Sequence, residues 1–199
     1  MAGPTIVPVP PGKVAAVVTY LEMTARPDLP PVAPPVPELA LRRVASPEAA
    51  WYRALFRAIG EDWLWFSRLK LADDELLAIL RDPGVEVNVL DHGGREVGVI
   101  ELDRRAFPDI ELAFFGLVPD MIGRGLGRYL MARAIDIAWS HRPHRFWVHT
   151  CTLDHPGALA FYRRSGFRPY RQAIEIDDDP RATGLLRPDA APWWPALGG

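Results

Sequence analysis

Val118-Pro119-Asp120-Met121-Ile122-Gly123-Arg124-Gly125-Leu126-Gly127-Arg128 joins the end of an apolar run to a glycine-rich turn and then to a helical pattern. Glycines allow left-handed backbone and close approach of a ligand, while the start of a helix offers free N–H groups and the positive end of its dipole. That order makes an anion site, and a phosphate or pyrophosphate is its natural occupant. Two common phosphate loops are excluded by spacing. A Walker loop needs Lys and Ser/Thr after its last glycine, where this chain has Arg128 and Tyr129. The Gly-x-Gly-x-x-Gly dinucleotide fingerprint fails as well, because counting from Gly123 or from Gly125 puts Arg128 or Leu130 at its third glycine.

Ile122-Gly123-Arg124-Gly125-Leu126-Gly127 instead resembles the coenzyme A loop of the GCN5-related N-acetyltransferase (GNAT) family, Gln/Arg-x-x-Gly-x-Gly/Ala, with Ile122 in place of the usual Gln or Arg. That family holds the pyrophosphate mainly through backbone N–H groups, so the replacement is expected to cost little. Further on, the stretch from His155 to Phe167 resembles the family's second signature, Asn-x-x-Ala-x-x-Φ-Tyr-x-x-x-Gly-Phe. Ala158, Phe161, Tyr162, Gly166 and Phe167 match, and His155 replaces the Asn. An amphipathic helix stopped by Gly166 accounts for the second stretch alone. It does not account for both signatures in the family's order and at about its separation, and the resemblance covers roughly residues 38–176.

Outward from these motifs, Val14 to Leu21 reads as a strand, and Pro27, Pro30, Pro31, Pro34, Pro35 and Pro37 make a polyproline-like surface crossing. Glu38 to Val44 is a short strand. Ser46-Pro47-Glu48 predicts a helix start with Ser46 as cap, running to Ile59. A second helical region is expected from Asp62 to Leu80, with Asp73 capping a segment within it. Val85 to Leu90, Glu96 to Leu102 and Ile110 to Val118 form an antiparallel meander, the first two joined by the Asp91-His92-Gly93-Gly94 turn. Gly125 to Ser140 is a helix with one apolar face, followed by a strand from Arg145 to Leu153, a helix from Gly157 to Ser165 and a strand from Gln172 to Ile176.

The order β-α-α-β-β-β-α-β-α-β is that of the GNAT acyl-CoA N-acyltransferase fold with an extra N-terminal strand, an α/β (α+β) mixed sheet with helices on both faces. The expected organisation is a Pro-rich extension with one strand at 1–37, the GNAT domain at 38–176 and a Pro/Trp-rich tail at 177–199. The tail's prolines suggest disorder, and Trp193 and Trp194 suggest docking onto the domain or onto a partner subunit, which leaves room for a homodimer.

Composition restricts the function classes. With 199 residues, 49% of them hydrophobic, the chain suits one buried core. A formal charge of −2 gives no general attraction to nucleic acid or anionic membrane, so neither is expected as a partner. One cysteine, Cys151, excludes an intrachain disulfide, and no apolar run spans a bilayer. The expected location is cytoplasmic.

Acetyl transfer to an amine, the activity that the resemblance implies, needs a neutral amine, a place for oxyanion charge and a proton for the departing thiolate. Glu111 opens an otherwise apolar strand, and period-two alternation puts it on one face with Ala113, Phe115 and Leu117, where desolvation would suit it as base. Its position resembles the family's catalytic glutamate. Tyr162 corresponds to the family's acid that protonates the coenzyme thiolate. The resemblance also assigns coenzyme contacts to the backbone of Leu117 and Val118, to Gly123, Gly125, Leu126 and Gly127, to Arg124 and Arg128, and to His155. Acetyl-CoA is the implied cosubstrate, with no metal, and a small-molecule or peptide amine is the implied acceptor. His149, Cys151, Asp154 and His155 lack the spacing of a metal site, and His149 is expected near the acceptor as an auxiliary base. Trp51, Trp63, Trp65 and Phe66 crowd the helices that wall the acceptor pocket in this family. The substitutions Ile122 and His155 leave open a module that senses acyl-CoA without turnover.

Overall fold

A computed structural model describes residues 3–196. Its elements are β1 (Lys13–Met23), β2 (Leu39–Arg43), α1 (Ala49–Gly60), α2 (Asp73–Leu80), β3 (Val85–His92), β4 (Arg95–Asp103), β5 (Asp109–Leu117), α3 (Leu126–Ser140), β6 (Arg145–Cys151), α4 (Ala158–Arg164) and β7 (Arg168–Asp178). They form one seven-stranded sheet in the order β2-β3-β4-β5-β6-β1-β7. Neighbours are antiparallel except β5 and β6, which run parallel.

The extra N-terminal strand lies inside the sheet, between β6 and β7. The chain must therefore travel from β1 to β2 at the far edge, and the proline-rich stretch makes that crossing. It passes over α3, where Arg26 pairs with Asp136 at 2.6 Å. Val32 and Val36 pack against the core. An extended proline segment suits this route, since it needs no internal hydrogen bonds.

Apolar spacing decides which helix faces are buried. Tyr52, Leu55, Phe56 and Ile59 form an i, i+3, i+4, i+7 stripe on α1 that packs on one face of the sheet. Leu126, Leu130, Ala134, Ile135 and Ala138 do the same for α3 on the other face. Three helix expectations need correction. Asp73 does not cap α2 but is its first residue, and Ala72 stands at the cap position. Ser46 does not cap α1, which begins at Ala49 after Glu48. Nor is the region from Asp62 to Leu80 helical throughout: a 3₁₀ turn at Glu61–Trp63 ends with Leu64 in left-handed backbone (φ 52°), and only Asp73–Leu80 is α-helix. The break swings the Trp65 ring between Phe56 and Phe114, with ring centroids 5.3 Å from each. Burial of one indole outweighs the continuation of a short helix.

Under α1 the sheet carries a fully buried carboxylate. Glu101 accepts a hydrogen bond from the Tyr52 hydroxyl and pairs with Arg68 at 2.5 Å, tying α1 and the loop before α2 to β4. Burial and the carboxylate beside it push the Tyr52 hydroxyl well above its ordinary range. Glu101→Ala leaves the largely covered Arg68 guanidinium and the buried phenol unpaired and should lower the unfolding free energy by about 3–5 kcal/mol. Denaturant titration checks this, and a loss under about 1 kcal/mol would place the cluster with weak surface pairs.

The tail docks, as its tryptophans suggested. Arg181 and Asp179 form a buried pair at 2.7 Å, and Arg181 also donates to the carbonyl oxygens of Ala190 and Trp194. Arg187 binds Asp62 at 2.6 Å, Arg57 donates to Leu185 O, and Trp193 packs on Trp63. Backbone turns such as Leu186 N–H to Pro180 O and Trp194 N–H to Ala191 O pair part of this proline-rich backbone, and arginine side chains satisfy further carbonyls.

Candidate active site

Strands β5 and β6 pair only over Asp109–Glu111 and Arg145–Trp147. Past that point the pairing stops, and a cavity of about 570 Å³ opens between the strand ends. Leu112 to Leu117 line one side, Val148, His149 and Cys151 the other, and α4 closes it with Phe161 and Tyr162. Such a gap leaves strand backbone groups free to bind an extended ligand as an added strand would.

At one end lies the glycine turn. Gly123 and Gly125 have φ of 84° and 83°, and α3 starts at Leu126. Gly123, Gly125, Gly127, Arg128, Leu117 and His155 all line the cavity. Arg124 and Leu126 do not: the first is exposed, and the second has its side chain in the core. Val118 is engaged within the fold, its N–H donating to Val97 O and its carbonyl accepting from Met121 N–H, both at 3.0 Å. By strand alternation the N–H and carbonyl of Leu117 face the opposite way, toward the gap. His155 Nδ1 accepts the Gly157 N–H at 2.9 Å and so holds the start of α4, while its ring meets Trp63.

The other end carries the titratable groups, and here the expected placement of Glu111 changes. Leu102 pairs with Leu112 but Glu101 with Phe114, so Ala113 is an extra residue, a β-bulge. The bulge resets the alternation: Glu111 shares the face of Glu101 and Phe114, beneath α1, and not the face of Phe115 and Leu117. Glu111 is not among the cavity-lining residues, whereas His149 is. The two meet at 3.3 Å, His149 Nδ1 to Glu111 Oε1. The Glu111 carboxylate raises the His149 pKa above its ordinary value, more than burial lowers it.

Tyr162 is buried against Phe115, Phe161 and Phe167, and burial pushes its hydroxyl well above the ordinary tyrosine range. The same desolvation pushes the Cys151 thiol up to about 12, which keeps it neutral and a poor nucleophile. Of the four aromatic residues expected at the wall, Trp63, Trp65 and Phe66 line the cavity; Trp51 instead donates its indole N–H to Glu96.

Sequence reasoning missed two lining carboxylates, Glu175 and Asp177, and weighed a third, Asp154, only for a metal or nucleophile set. Asp154 is a brace, accepting from Thr150 Oγ1 and Cys151 N–H and, at 3.3 Å, from the Trp65 indole. Glu175 and Asp177, alternate residues of β7, reach the cavity from the sheet edge. Their period-two spacing was the available signal. What it lacked was the knowledge that β7 adjoins β1 rather than a solvent-facing neighbour. Among the described residues no group of three His, Cys, Asp or Glu side chains is arranged to hold a metal ion. Also among them, no helix is long and apolar enough to cross a membrane.

A family model described as the acetyltransferase (GNAT) family matches residues 49–167. No curated protein matches the chain. Solved structures do. A GCN5-related N-acetyltransferase from Sphaerobacter thermophilus superposes with a TM-score of 0.60 at 19% identity, over 82% of this chain and 52% of that one. The chain thus spans about half the length of that structure. A GCN5-related N-acetyltransferase from Kribbella flavida gives 0.54 at 21% identity, over 84% and 60%. An aminoglycoside acetyltransferase from an uncultured soil metagenomic sample, solved with trehalose, gives 0.56 at 17%, over 69% and 93%. At these identities the likeness establishes the fold.

Proposed function

The chain belongs to the GNAT acetyltransferase family, and on that premise we propose that it transfers an acetyl group from acetyl-CoA to an amine by direct attack. The observation that carries the reading is the single cavity that joins the glycine turn, Tyr162 and His149. The pyrophosphate would lie on the N–H groups at the start of α3, and the pantetheine arm would follow the free edge of β5 at Leu117. The acetyl carbonyl then meets the acceptor below α1.

In this scheme His149 takes the proton of the acceptor ammonium, and Glu111 acts through it, orienting the ring and stabilising the imidazolium. The amine attacks the carbonyl carbon, and the electron pair moves to oxygen, near the Leu117 N–H. On collapse the C–S bond breaks, Tyr162 gives its proton to the departing thiolate, and the proton still carried by the attacking nitrogen is lost and restores the Tyr162 hydroxyl, leaving a neutral amide and free thiol. A neutral Cys151 supports direct transfer over an acyl-enzyme. Glu175 favours a cationic acceptor, while Asp177 is paired with Lys70 at 2.5 Å and Asp154 is held by its donors; Trp63, Trp65 and Phe66 suit an acceptor with an apolar part, and small molecules and peptides both qualify. Placement of Tyr162 on the cavity wall favours turnover over a module that only senses acyl-CoA.

Thiol release from acetyl-CoA, followed across classes of amines, tests the proposal; no release with any amine in the presence of bound acetyl-CoA favours the sensing module. With an acceptor in hand, the pH profile separates the bases. His149 must be neutral, so kcat/KM should rise with pH through its raised pKa. Glu111→Gln removes the largest cause of that rise, and the acid limb should move to lower pH while turnover slows. If the limb stays in place and follows the amine pKa when the acceptor is changed, the acceptor and not His149 sets it.

A further inference from the structure

β7 is an edge strand with exposed residues on both faces. Ile174 is 63% exposed and Ile176 40%, and Val17, paired to Ile174 on the same face, is 44% exposed. A long edge carrying exposed isoleucines invites another strand unless something blunts it. Its charges are segregated: Arg168 and Arg171 come first, Glu175, Asp177 and Asp178 last. In parallel self-pairing like charges meet, whereas in antiparallel self-pairing the basic half of one strand lies on the acidic half of the other.

The hydrogen-bond phase is also defined. Asp179 N–H donates to Gly12 O, and the Val17 carbonyl accepts the N–H of Thr152, the residue after β6, while the Val17 N–H donates to the Thr152 hydroxyl, so the backbone of Val17 points away from β7. The odd-numbered residues of β7 therefore bond to β1, and the N–H and carbonyl groups of Gln172, Ile174 and Ile176 point outward, unpaired within the sheet. A bulge near Tyr170 ends the regular run on one side.

We propose that β7 pairs antiparallel with β7 of a second copy of this chain about a two-fold axis at Ile174. Gln172 then faces Ile176 of the second copy, Ile174 faces its own counterpart, and Arg171 faces Asp177, with Glu175 diagonal to it. All the outward groups of the regular run find partners, the exposed isoleucines are covered, and the sheet continues across the dimer. The pairing bears on the site as well, because Glu175 and Asp177, the latter already paired with Lys70 at 2.5 Å, line the cavity and receive Arg171 of the second copy at its acceptor end.

Sedimentation of the full chain tests this. The wild type should be a dimer, and Ile174→Lys, which sets like charges face to face on the axis, should weaken association at least about a hundredfold. Arg171→Glu should weaken it at least about tenfold by opposing Asp177. Both positions are exposed, so the thermal midpoint of the separated monomer reports that the variants fold. A wild type that stays monomeric, or a dimer that survives both substitutions, overturns the proposal. Either result leaves acetyl transfer by the single chain untouched.

Discussion

Tyr162→Phe lowers kcat by roughly ten- to a thousandfold and leaves acetyl-CoA affinity nearly unchanged, as expected when a proton donor that acts only in the transition state is removed. The ring is held by Phe115, Phe161 and Phe167, all of which phenylalanine keeps, so neither the fold nor the cavity shape should suffer. Burial raises the hydroxyl pKa, which keeps the proton in place at any working pH. The thiolate forms in the same desolvated cavity, so its own basicity rises and transfer remains favourable. Single-turnover rates with saturating acetyl-CoA check the effect. An unchanged chemical rate assigns the hydroxyl to packing and removes it from the mechanism.

The parts of this fold that were legible are those where local chemistry and burial agree. The apolar stripe of α3, the two-glycine turn between β3 and β4 and the two motifs all state their structure within a few residues. The turn, for instance, needs positive φ at Gly93 and Gly94, which glycine supplies. What stayed hidden depends on contacts distant in sequence. One extra residue at Ala113 moves Glu111 to the other face, and period-two alternation has no signature for a bulge at a small apolar residue. The break at Leu64 follows from the slot that Phe56 and Phe114 provide for Trp65, and Phe114, half of that slot, is distant from it in sequence. Likewise β1 is recognisable as a strand, but its place between β6 and β7 is a choice among partners that no local pattern expresses. The His149–Glu111 pair became visible only with both effects in hand, the bulge and the register of β5 on β6.

The central claim is that acetyl-CoA lies on the glycine turn and along the gap between β5 and β6, and Gly125 is the position that exposes it most. Its φ of 83° is a conformation that β-branched residues avoid, although a Cβ there would meet Pro35 of the crossing segment only in ordinary contact, at 3.4 Å. Gly125→Val must therefore shift the turn, displacing the N–H groups that would hold the pyrophosphate. Arg124→Ala is the matched control, since Arg124 is exposed and lies outside the cavity lining. The most direct measurement is calorimetric titration of acetyl-CoA into the wild type and both variants, with thermal melting to verify folding. One acetyl-CoA per chain is expected for the wild type, with affinity reduced at least about a hundredfold in Gly125→Val and within about threefold of wild type in Arg124→Ala. A wild type that binds no acetyl-CoA, or a folded Gly125→Val variant that binds it with undiminished affinity, would contradict the account.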